Sequence, residues 1–279
     1  MPAVLVTGAS RGIGRAIVSH LADAGWDVVA GVRTEDDAAA VTAVNPRILS
    51  VLLDVTDSTH IATLDTALPD RLDAVVNNAG IFLPSPIETV GSVEELRRQF
   101  EVNVIGAMAV THAVLPRIRA SRGRIVFVSS VNGSLSFPLF GAYSASKFAL
   151  EAAADALRME LKPWHIGVVV VRPGETDTDI WHTIDEQLER RVAAMTTHER
   201  ELYAAHLAGL SRMIPLGRKL VGPPKQVAAV VEKALSARRP RAHYTVGLRN
   251  KLQLVTLRAL PASVRDSLLR AMLRQPGRA

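Results

Sequence analysis

The sequence predicts a doubly wound α/β fold, in which a mostly parallel sheet carries helices on both faces. Apolar runs suited to buried strands alternate with helical stretches from the first residues onward. These runs are apolar at consecutive positions, as expected where both faces of a parallel sheet are covered. No internal repeat or low-complexity segment interrupts the alternation. Because ligands of such sheets bind beyond the carboxyl ends of the strands, the residues after each run are the first candidates for a site.

The individual elements follow in chain order. The run AVLVTG predicts the first strand, GRAIVSHLADAG predicts a helix closed by Gly25, and WDVVAGV predicts the second strand. Four more strands are predicted from RILSVLLDV, LDAVVNNAG, GRIVFVSS and IGVVVVRPG. A chain of 279 residues with 48% hydrophobic content can bury one large core. We predict a single domain over residues 1–279, with a helical lid at about 179–221 and a basic extension at about 238–279.

Composition excludes several classes of site. The chain has no cysteine, so disulfides, thiolate metal sites and thiol nucleophiles are excluded. Its eight histidines show no metal-ligand spacing, and we predict no metal. The N-terminus enters a strand-like run at once, without the basic and apolar regions of a signal peptide, and no uncharged apolar stretch reaches the roughly 18 residues of a membrane span. We therefore expect a cytoplasmic protein.

The net charge of +6 is concentrated at the C-terminus. From Arg238 onward the chain has ten Arg or Lys and one acid, Asp266, which gives this part a charge of +9 and leaves about −3 for the rest. A basic tail of this kind does not form a nucleic-acid groove across the main body, and we predict no nucleic-acid partner.

A glycine-rich turn, TGASRGIG, follows the first predicted strand. Gly8, Gly12 and Gly14 allow a tight turn and a close backbone approach, so that the next helix can present its N-terminus to a pyrophosphate. The spacing departs from the GxGxxG fingerprint of many dinucleotide sites. Taken alone, the turn leaves nucleotide binding and ordinary turn chemistry equally open.

The combination of motifs is more specific. TGxxxGxG after the first strand, NNAG at residues 77–80, Ser130, and the pair Tyr143 and Lys147 resemble the shorter, single-domain branch of the short-chain dehydrogenase/reductase family. The resemblance covers about residues 3–180 and implies a Rossmann-like oxidoreductase domain that binds a nicotinamide dinucleotide. It further implies that the cofactor is bound by Gly8, Ser10, Arg11, Gly12, Ile13, Gly14, Asn78, Ala79, Gly80, Pro173, Gly174 and Thr178, with Thr176 as a competing donor.

The pair Tyr143 and Lys147 lies in GAYSASK, where a four-residue spacing places both side chains on one helix face. A free tyrosine has a pKa near 10, and a nearby ammonium favours the phenolate. The resemblance implies that Tyr143 is the general acid or base and that Lys147 also holds the nicotinamide ribose. A surface Tyr/Lys pair is the alternative.

Two further side chains complete the implied catalytic set. Ser130 lies thirteen residues before Tyr143, the family interval for the serine that polarises the substrate carbonyl. Ser129 is the alternative, although in a continuing strand its side chain points the other way. Asn103 fits the family asparagine that distorts its helix and relays protons through water to Lys147, whereas an exposed asparagine there would need no function.

Cofactor choice depends on the end of the second strand, AGVRTEDD. The resemblance implies that an NAD binder has Asp and its neighbour at the positions of Val32 and Arg33. Arg33 can instead meet a 2′-phosphate, and Arg11 is a second cation, so we predict NADP in preference to NAD. Glu35 is a competing ribose ligand, but residues 34–37 also fit a helix N-cap followed by acids, which we favour. The resemblance places Asp54, followed by Val55, near the adenine amino group.

Substrate contacts are expected in the lid. This segment contributes Trp181, Ile184, Leu188, Met195, Tyr203 and Met213, which suggests a bulky apolar alcohol or carbonyl compound. Equally, these side chains at helical spacing can simply pack the lid onto the core.

The basic extension and the assembly leave alternatives open. Val264, Leu268, Met272 and Leu273 form an apolar stripe among arginines, compatible with peripheral membrane contact or with a docked or frayed tail, which we favour. Family resemblance implies a homodimer or homotetramer. Two other functions stay open: a noncatalytic dinucleotide-binding sensor or scaffold, and a peripheral membrane protein that acts through its C-terminal helix.

Overall fold

A computed structural model describes residues 1–89 and 92–276. Its centre is one sheet of seven strands, and every adjacent pair is parallel. The strands are β1 (Ala3–Thr7), β2 (Asp27–Val32), β3 (Ile48–Leu52), β4 (Ala74–Asn77), β5 (Arg124–Val128), β6 (Gly167–Arg172) and β7 (His243–Thr245). The predicted α/β class is confirmed, and all six predicted strands are present.

Strand order locates the ligand crevice. The sheet runs β3-β2-β1-β4-β5-β6-β7, so the chain builds outward from β1 in one direction and then crosses to the other side at β4. This reversal opens a crevice beyond the carboxyl ends of β1 and β4, where doubly wound folds bind their ligands. The Rossmann-like prediction is therefore correct in topology as well as in class.

Eleven helices lie among the described residues, and they cover both faces of the sheet. They are α1 (Gly12–Asp23), α2 (Glu35–Thr42), α3 (Ser58–Ala67), α4 (Ser92–Phe100), α5 (Ala107–Ser121), α6 (Gly141–Glu160), α7 (Asp179–Ala194), α8 (Thr197–Arg218), α9 (Pro224–Ser236), α10 (Leu248–Ala259) and α11 (Ala262–Met272). A π-helical segment, Glu101–Gly106, joins α4 to α5, and a 3₁₀ turn, Val131–Gly133, follows β5.

Alternate residues of each strand enter two separate cores. In β1, Val4 and Val6 pack with α1 and α9, whereas Ala3 and Leu5 pack with α3 and α5 on the opposite face. Side chains alternate between the faces of a strand, and both faces here are covered. This explains why the strands are apolar at consecutive positions.

The sequence did not predict β7. Its three residues, HYT, contain no apolar run, and the strand forms because His243, Tyr244 and Thr245 pair with the end of β6. This pairing draws the basic extension into the sheet. Beyond β7, Leu254, Leu257 and Leu269 of α10 and α11 form a small core with Leu135.

Candidate active site

The glycine turn between β1 and α1 requires residues without side chains. Gly8 has a φ of +63°, and a Cβ there would lie 2.9 Å from Ala79 Cα. A Cβ on Gly14 would lie 2.0 Å from the Gly8 carbonyl oxygen. The backbone can therefore coil tightly before α1 begins at Gly12, with Ser10, Arg11 and Ile13 in the same turn. The sequence-based prediction of a tight turn at the head of a helix is confirmed.

Thr7, which the sequence analysis passed over, ties this turn to β4. Its hydroxyl accepts hydrogen bonds from the backbone N–H groups of Asn78 and Ala79, both at 3.0 Å. The Asn78 amide in turn donates to the carbonyls of Thr7 at 3.0 Å and Gly8 at 3.1 Å. A threonine that ends a buried strand directly before the glycines was the available signal.

Asn103 joins the segment after β4, at Gly80 and Ile81, to α6, the helix that contains Lys147. It lies in the π-helical segment, where its oxygen accepts from Ile81 N–H at 2.8 Å and its amide donates to the Ser146 hydroxyl at 3.0 Å. A Cβ on Gly80 would lie 3.2 Å from Asn103 Oδ1 and 3.5 Å from Lys147 Nζ. The predicted distortion of the helix at Asn103 is present, and the exposed alternative is wrong, since this side chain is buried.

Tyr143 and Lys147 occupy one face of α6, as their spacing predicted. Lys147 is buried, its Nζ donates to the Val128 carbonyl at 3.0 Å, and it lies 5.8 Å from the centre of the Tyr143 ring. Burial lowers the pKa of Lys147 to about 8, against an opposing effect of the Glu151 carboxylate. Because Lys147 is buried, the alternative of a surface pair is wrong.

The pKa of Tyr143 departs from the direction that the sequence suggested. Burial raises this pKa to about 12, and the hydrogen bond with Ser130 only partly offsets the increase. The Lys147 ammonium was expected to lower it. In this geometry the ammonium is directed at the Val128 carbonyl, so the cost of burying a phenolate dominates.

The two serines after β5 point in different directions, as strand alternation predicted. Ser130 interacts with Tyr143 and accepts a hydrogen bond from Asn132 N–H at 3.1 Å. Ser129 is buried and donates to Glu151 Oε1 at 2.7 Å. Ser130 therefore interacts with Tyr143 at the cavity, and the hydroxyl of Ser129 is directed at Glu151 instead.

The segment after β6 closes the site from the other side. The Pro173 carbonyl accepts from Val131 N–H at 2.9 Å, which joins this segment to the Ser130 turn. Thr176 donates to the Gly174 carbonyl at 3.1 Å, and Thr178 donates to the Thr176 carbonyl at 3.2 Å. A Cβ on Gly12 would lie 3.3 Å from Thr178 Cγ2, so Thr178 borders the glycine turn.

The end of β2 holds the residues on which cofactor choice depends. Arg33 and Arg11 are exposed, and Arg33 is close enough to Asp54 to act on its pKa. That pKa lies below its usual range chiefly because Asp54 accepts from Thr56 N–H, at 2.9 Å. Val55 is buried against Gly106 of the π-helical segment.

Thr34 is the N-cap of α2. Its hydroxyl accepts from Asp37 N–H at 3.1 Å, and acids fill the first turn, including Glu35. The favoured interpretation of residues 34–37 as a helix start is confirmed.

A cavity of about 240 Å³ lies against Ser130 and Tyr143. Apolar side chains from three regions form most of its wall: Phe82, Leu135, Phe137 and Phe140; the lid residues Ile184, Leu210, Met213, Ile214, Leu216 and Leu220; and the C-terminal residues Leu254, Met272 and Leu273. Phe82 packs edge-on against Tyr143, with ring centres 5.0 Å apart. The cavity thus joins the implied catalytic groups to an apolar chamber.

The lid residues pack onto the core, and some of them also line the cavity. Their contact with a substrate stays a prediction. Ile184, Leu188 and Met195 are buried in a core with Phe82, and Tyr203 packs against that core. Ile184 also lines the cavity, as does Met213. The side chain of Trp181 lies outside the described residues.

The C-terminal extension also lines the cavity, which the sequence analysis did not anticipate. Asn250, Gln253 and Leu254 of α10 contribute to the wall. The end of α11 docks on the lid at Gly209, where a Cβ would lie 2.6 Å from the Arg274 carbonyl oxygen. The end of the described extension is therefore packed against the lid.

The described residues show neither a membrane-spanning helix nor a cluster of metal ligands. Among residues 1–89 and 92–276, no helix combines the length and apolar character needed to cross a bilayer. Over the same residues, no three His, Asp or Glu side chains are grouped as a metal site would require. The absence of a metal stays a prediction.

Known proteins resemble this chain over nearly its whole length. NADPH-dependent 3-dehydrocapnine reductase from Ornithobacterium rhinotracheale is 31% identical over 95% of this chain and 94% of its own length. The 17-beta-hydroxysteroid dehydrogenase type 6 of Bos taurus is 33% identical over 99% of this chain and 90% of its own. The crystal structure of a short-chain dehydrogenase from Streptomyces avermitilis has a TM-score of 0.76 at 31% identity, covering 96% of this chain and 94% of that one.

A family profile gives the same result. The profile described as short chain dehydrogenase matches residues 2–189, more than half of the chain. The profile, the relatives and the solved structure all indicate the same family. The chain therefore belongs to the short-chain dehydrogenase family, and it is an oxidoreductase that acts on alcohol or carbonyl groups.

Proposed function

We propose that this protein is an NADP-dependent oxidoreductase that interconverts an alcohol and a ketone or aldehyde on an apolar substrate. The observation that carries the proposal is the meeting of four side chains from three parts of the chain. Asn103, Ser130, Tyr143 and Lys147 come from the π-helical segment, the end of β5 and α6, and they converge between the glycine turn and the apolar cavity. Ser130 interacts with Tyr143, and Lys147 Nζ lies 5.8 Å from the Tyr143 ring while it donates to the Val128 carbonyl.

The crevice residues fit a dinucleotide. The turn from Gly8 to Gly14 leaves a cradle that a Cβ would fill, and it opens onto the N-terminus of α1, which favours a negatively charged pyrophosphate. Asn78 and Ala79 border this cradle, and Thr178 borders it at Gly12, while Gly80 follows them beside Asn103 and Lys147. Pro173, Gly174 and Thr176 line the adjoining cavity, as does Ile13 of the turn. When bound, the nicotinamide supplies or accepts a hydride.

Two arginines support NADP in preference to NAD. Arg33 directly follows β2, the strand whose end commonly meets the adenosine ribose, and Arg11 lies in the glycine turn. Guanidinium groups suit bidentate binding of a 2′-phosphate. Glu35, the competing ribose ligand, belongs to the first turn of α2. The relative named as an NADPH-dependent reductase supports the same preference.

The catalytic roles follow from the positions of the hydroxyls. In carbonyl reduction, Ser130 donates a hydrogen bond to the substrate oxygen, and Tyr143 gives that oxygen a proton as the carbonyl carbon gains the hydride. The alcohol therefore contains two electrons and two protons more than the carbonyl compound. The hydride brings both electrons and one proton, and Tyr143 gives the second proton and is left as the phenolate, so charge and atoms balance. Oxidation reverses both transfers. A Tyr143 pKa of about 12 keeps its proton available for reduction.

The cavity wall supports an apolar substrate. Phenylalanine, leucine, isoleucine and methionine side chains form most of the wall, and the polar hydroxyls of Ser130 and Tyr143 lie at one part of it. The relative named as a hydroxysteroid dehydrogenase is consistent with a bulky ring compound.

Nucleotide titration by intrinsic fluorescence tests the cofactor. We expect tighter binding of NADPH than of NADH by the wild type, and loss of that difference in Arg33→Ala, because the variant lacks the cation for the 2′-phosphate. Carbonyl compounds are then screened with NADPH, with Tyr143→Phe as the catalytic control. Tighter binding of NADH would overturn the NADP assignment, and absence of both nucleotide binding and turnover would overturn the enzymatic proposal.

A noncatalytic sensor or scaffold is the alternative on the same fold. It predicts nucleotide binding without turnover of any carbonyl compound. The complete set of Asn103, Ser130, Tyr143 and Lys147 argues against it, since a sensor has no need of a proton donor beside a substrate cavity.

We also propose peripheral membrane contact through α10 and α11. Leu248, Leu252 and Val255 are exposed at helical spacing on α10, as are Val264 and Leu268 on α11. Five Arg or Lys and one Asp accompany them between residues 248 and 272, a charge that anionic lipid would complement.

Vesicle sedimentation tests this contact. We expect binding to vesicles that contain phosphatidylserine, weaker binding to pure phosphatidylcholine, and loss of binding in Leu252→Ser/Val255→Ser. Leu49→Ser is the matched control, because Leu49 is equally exposed but lies on β3 at the far edge of the sheet. Equal sedimentation of all variants would refute the contact.

For the assembly we propose a homodimer or homotetramer. Ile105 and Phe148 are exposed apolar side chains on the π-helical segment and α6, which pack against each other. Sedimentation velocity should give a dimer or tetramer mass for the wild type and a smaller species for Phe148→Glu; a monomeric wild type would exclude the proposal.

A further inference from the structure

A buried ion pair lies directly behind the catalytic residues. Glu151 on α6 accepts hydrogen bonds from Arg172, at 2.9 and 3.1 Å from Nε and 2.6 Å from Nη2. Only 7% of the Glu151 side chain and 11% of the Arg172 side chain are exposed. Neither residue carries a role in the proposed reaction. A buried pair of this kind does not by itself stabilise a fold, so its position calls for an explanation.

Glu151 connects the three segments that form the catalytic site. It lies one helical turn beyond Lys147 on α6. It accepts a hydrogen bond, at 2.7 Å, from the hydroxyl of Ser129, which is the residue directly before Ser130. Through Arg172, the last residue of β6, it holds the strand end directly before the Pro173 turn.

The loop after Ser130 is built around this carboxylate. A Cβ on Gly133 would lie 2.4 Å from Glu151 Oε1 and 2.6 Å from Ser129 Oγ. The 3₁₀ turn therefore closes onto the carboxylate, and it can do so only because residue 133 has no side chain. The fit leaves Glu151 little freedom to move away from Ser129.

The carboxylate also acts on Lys147. Burial lowers the pKa of Lys147, and the charge of Glu151 is the effect that opposes this decrease. The other ionisable groups near the pair are His243 on β7, with Asp155 and Arg158 farther along α6. Asp155 is half exposed and already bound to Arg158 at 2.8 Å and His243 at 3.2 Å. Glu151 is thus the buried acid that bears on the lysine.

We propose that Glu151 is a positioning residue for the reaction: it aligns the Ser130 turn and the Pro173 turn with Tyr143, and it keeps Lys147 in its ammonium form. The inference rests on the proposed oxidoreductase function. It assigns to Glu151 a role that a purely structural ion pair would lack, because a structural pair would affect stability without affecting the charge of Lys147.

The charge of Lys147 can be measured without substrate or cofactor. The chain has only six lysines, so ¹³Cε-labelled lysine gives few NMR signals, and Lys147→Met identifies the one from Lys147. We expect this signal to titrate near pH 8 in the wild type and roughly one pH unit lower in Glu151→Gln, because the variant lacks the opposing charge. Where a carbonyl substrate is turned over, the alkaline limb of its pH profile should move in the same direction.

Asp155→Asn is the matched control. It removes an acid from the same helix one turn farther on, but one that is half exposed and does not touch Ser129 or Arg172. Its Lys147 midpoint should stay within about 0.2 units of the wild type, since solvent screens exposed charges. A midpoint that is unchanged in folded Glu151→Gln, or lowered equally in Asp155→Asn, would overturn the inference.

Ser129→Ala tests the alignment of the Ser130 turn separately. It keeps the inference testable even if Glu151→Gln does not fold. It removes the hydroxyl that links the Ser130 turn to Glu151 and leaves the ion pair in place. With NADPH and decanal, or another carbonyl that the wild type reduces, we expect kcat/KM to fall roughly tenfold while NADPH affinity is unchanged. An unchanged kcat/KM would contradict the alignment.

These results separate the two proposals. If the wild type binds no nucleotide and reduces no carbonyl, the proposed function fails, whatever the lysine titration shows. If the wild type binds nucleotide and reduces a carbonyl compound, but the Lys147 midpoint is the same in Glu151→Gln, only the positioning role fails.

Discussion

Asn250 of α10 lies directly against Gly174 in the turn after β6. A Cβ on Gly174 would come within 2.1 Å of Asn250 Nδ2 and 2.4 Å of its Cγ. The Asn250 amide donates to the Val246 carbonyl at 2.9 Å, which holds it in this place. The C-terminal extension is therefore seated on the turn that contains Pro173 and Gly174, and Gly174 and Asn250 line the same cavity.

Replacing Gly174 tests this contact. Gly174→Ala should destabilise the protein by about 1–3 kcal/mol, because the new methyl group overlaps the Asn250 side chain. In Gly174→Ala/Asn250→Ala most of that loss should disappear, since the overlapping amide is gone. Urea unfolding of the two single variants and the double variant gives the coupling energy. Additive effects would mean that the two residues are not in contact.

The hydrogen bonds that Thr7 accepts from Asn78 and Ala79 give a second prediction. Thr7→Val keeps the shape of the side chain but leaves the N–H groups of Asn78 and Ala79 without their acceptor, at a cost of about 1–3 kcal/mol. The glycine turn should loosen, so NADPH should bind several-fold more weakly. Thr7→Ser retains the hydroxyl and is the control. Thermal unfolding measures the loss of stability, and nucleotide titration measures the loss of NADPH affinity. Equal results for the valine and serine variants would show that the Thr7 hydroxyl does not hold the glycine turn.

Local chemistry made much of the site predictable. The glycine turn, the helical spacing of Tyr143 and Lys147, and the opposite directions of Ser129 and Ser130 all follow from backbone periodicity over a few residues. The helix start at Thr34 was likewise readable from its capping residue and the acids after it.

Contacts between distant segments were not predictable in the same way. Asn250 meets Gly174, and Arg172 meets Glu151, only because β7 and α6 are packed beside β6. Nothing local in HYT marks β7 as a strand, since its partner supplies the hydrogen bonds. The pKa of Tyr143 was misjudged for a related reason: spacing predicts that Lys147 is near, but burial depends on the whole fold.

The buried lysine should make stability depend on pH. The pKa of Lys147 is about 8 in the folded protein, against 10.5 for an unperturbed lysine. Between these values the unfolded chain binds more protons, so stability rises with pH. Relative to Lys147→Met, which lacks this group, the wild type should gain about 2 kcal/mol between pH 7 and pH 9.5.

Urea unfolding of both proteins across this range measures the difference. Work above pH 10 should be avoided, because Tyr143, with a pKa raised to about 12, acts in the opposite direction there. Parallel stability curves for wild type and variant would show that Lys147 is not buried as a charge.

A larger side chain in the apolar cavity should slow the reduction of bulky carbonyl compounds more than that of short ones. Met213 is half-buried on the lid and lines the cavity, so Met213→Trp should reduce the space beside Tyr143. A bulky substrate such as a 3-keto steroid should lose roughly tenfold or more in kcat/KM, whereas a short aldehyde such as butanal should change little. Met159→Trp is the matched control, because Met159 is 63% exposed on α6 and does not line the cavity. Steady-state kinetics with both carbonyl compounds measure the effect. If Met213→Trp slows both reactions equally, or slows neither, the cavity is not the substrate site.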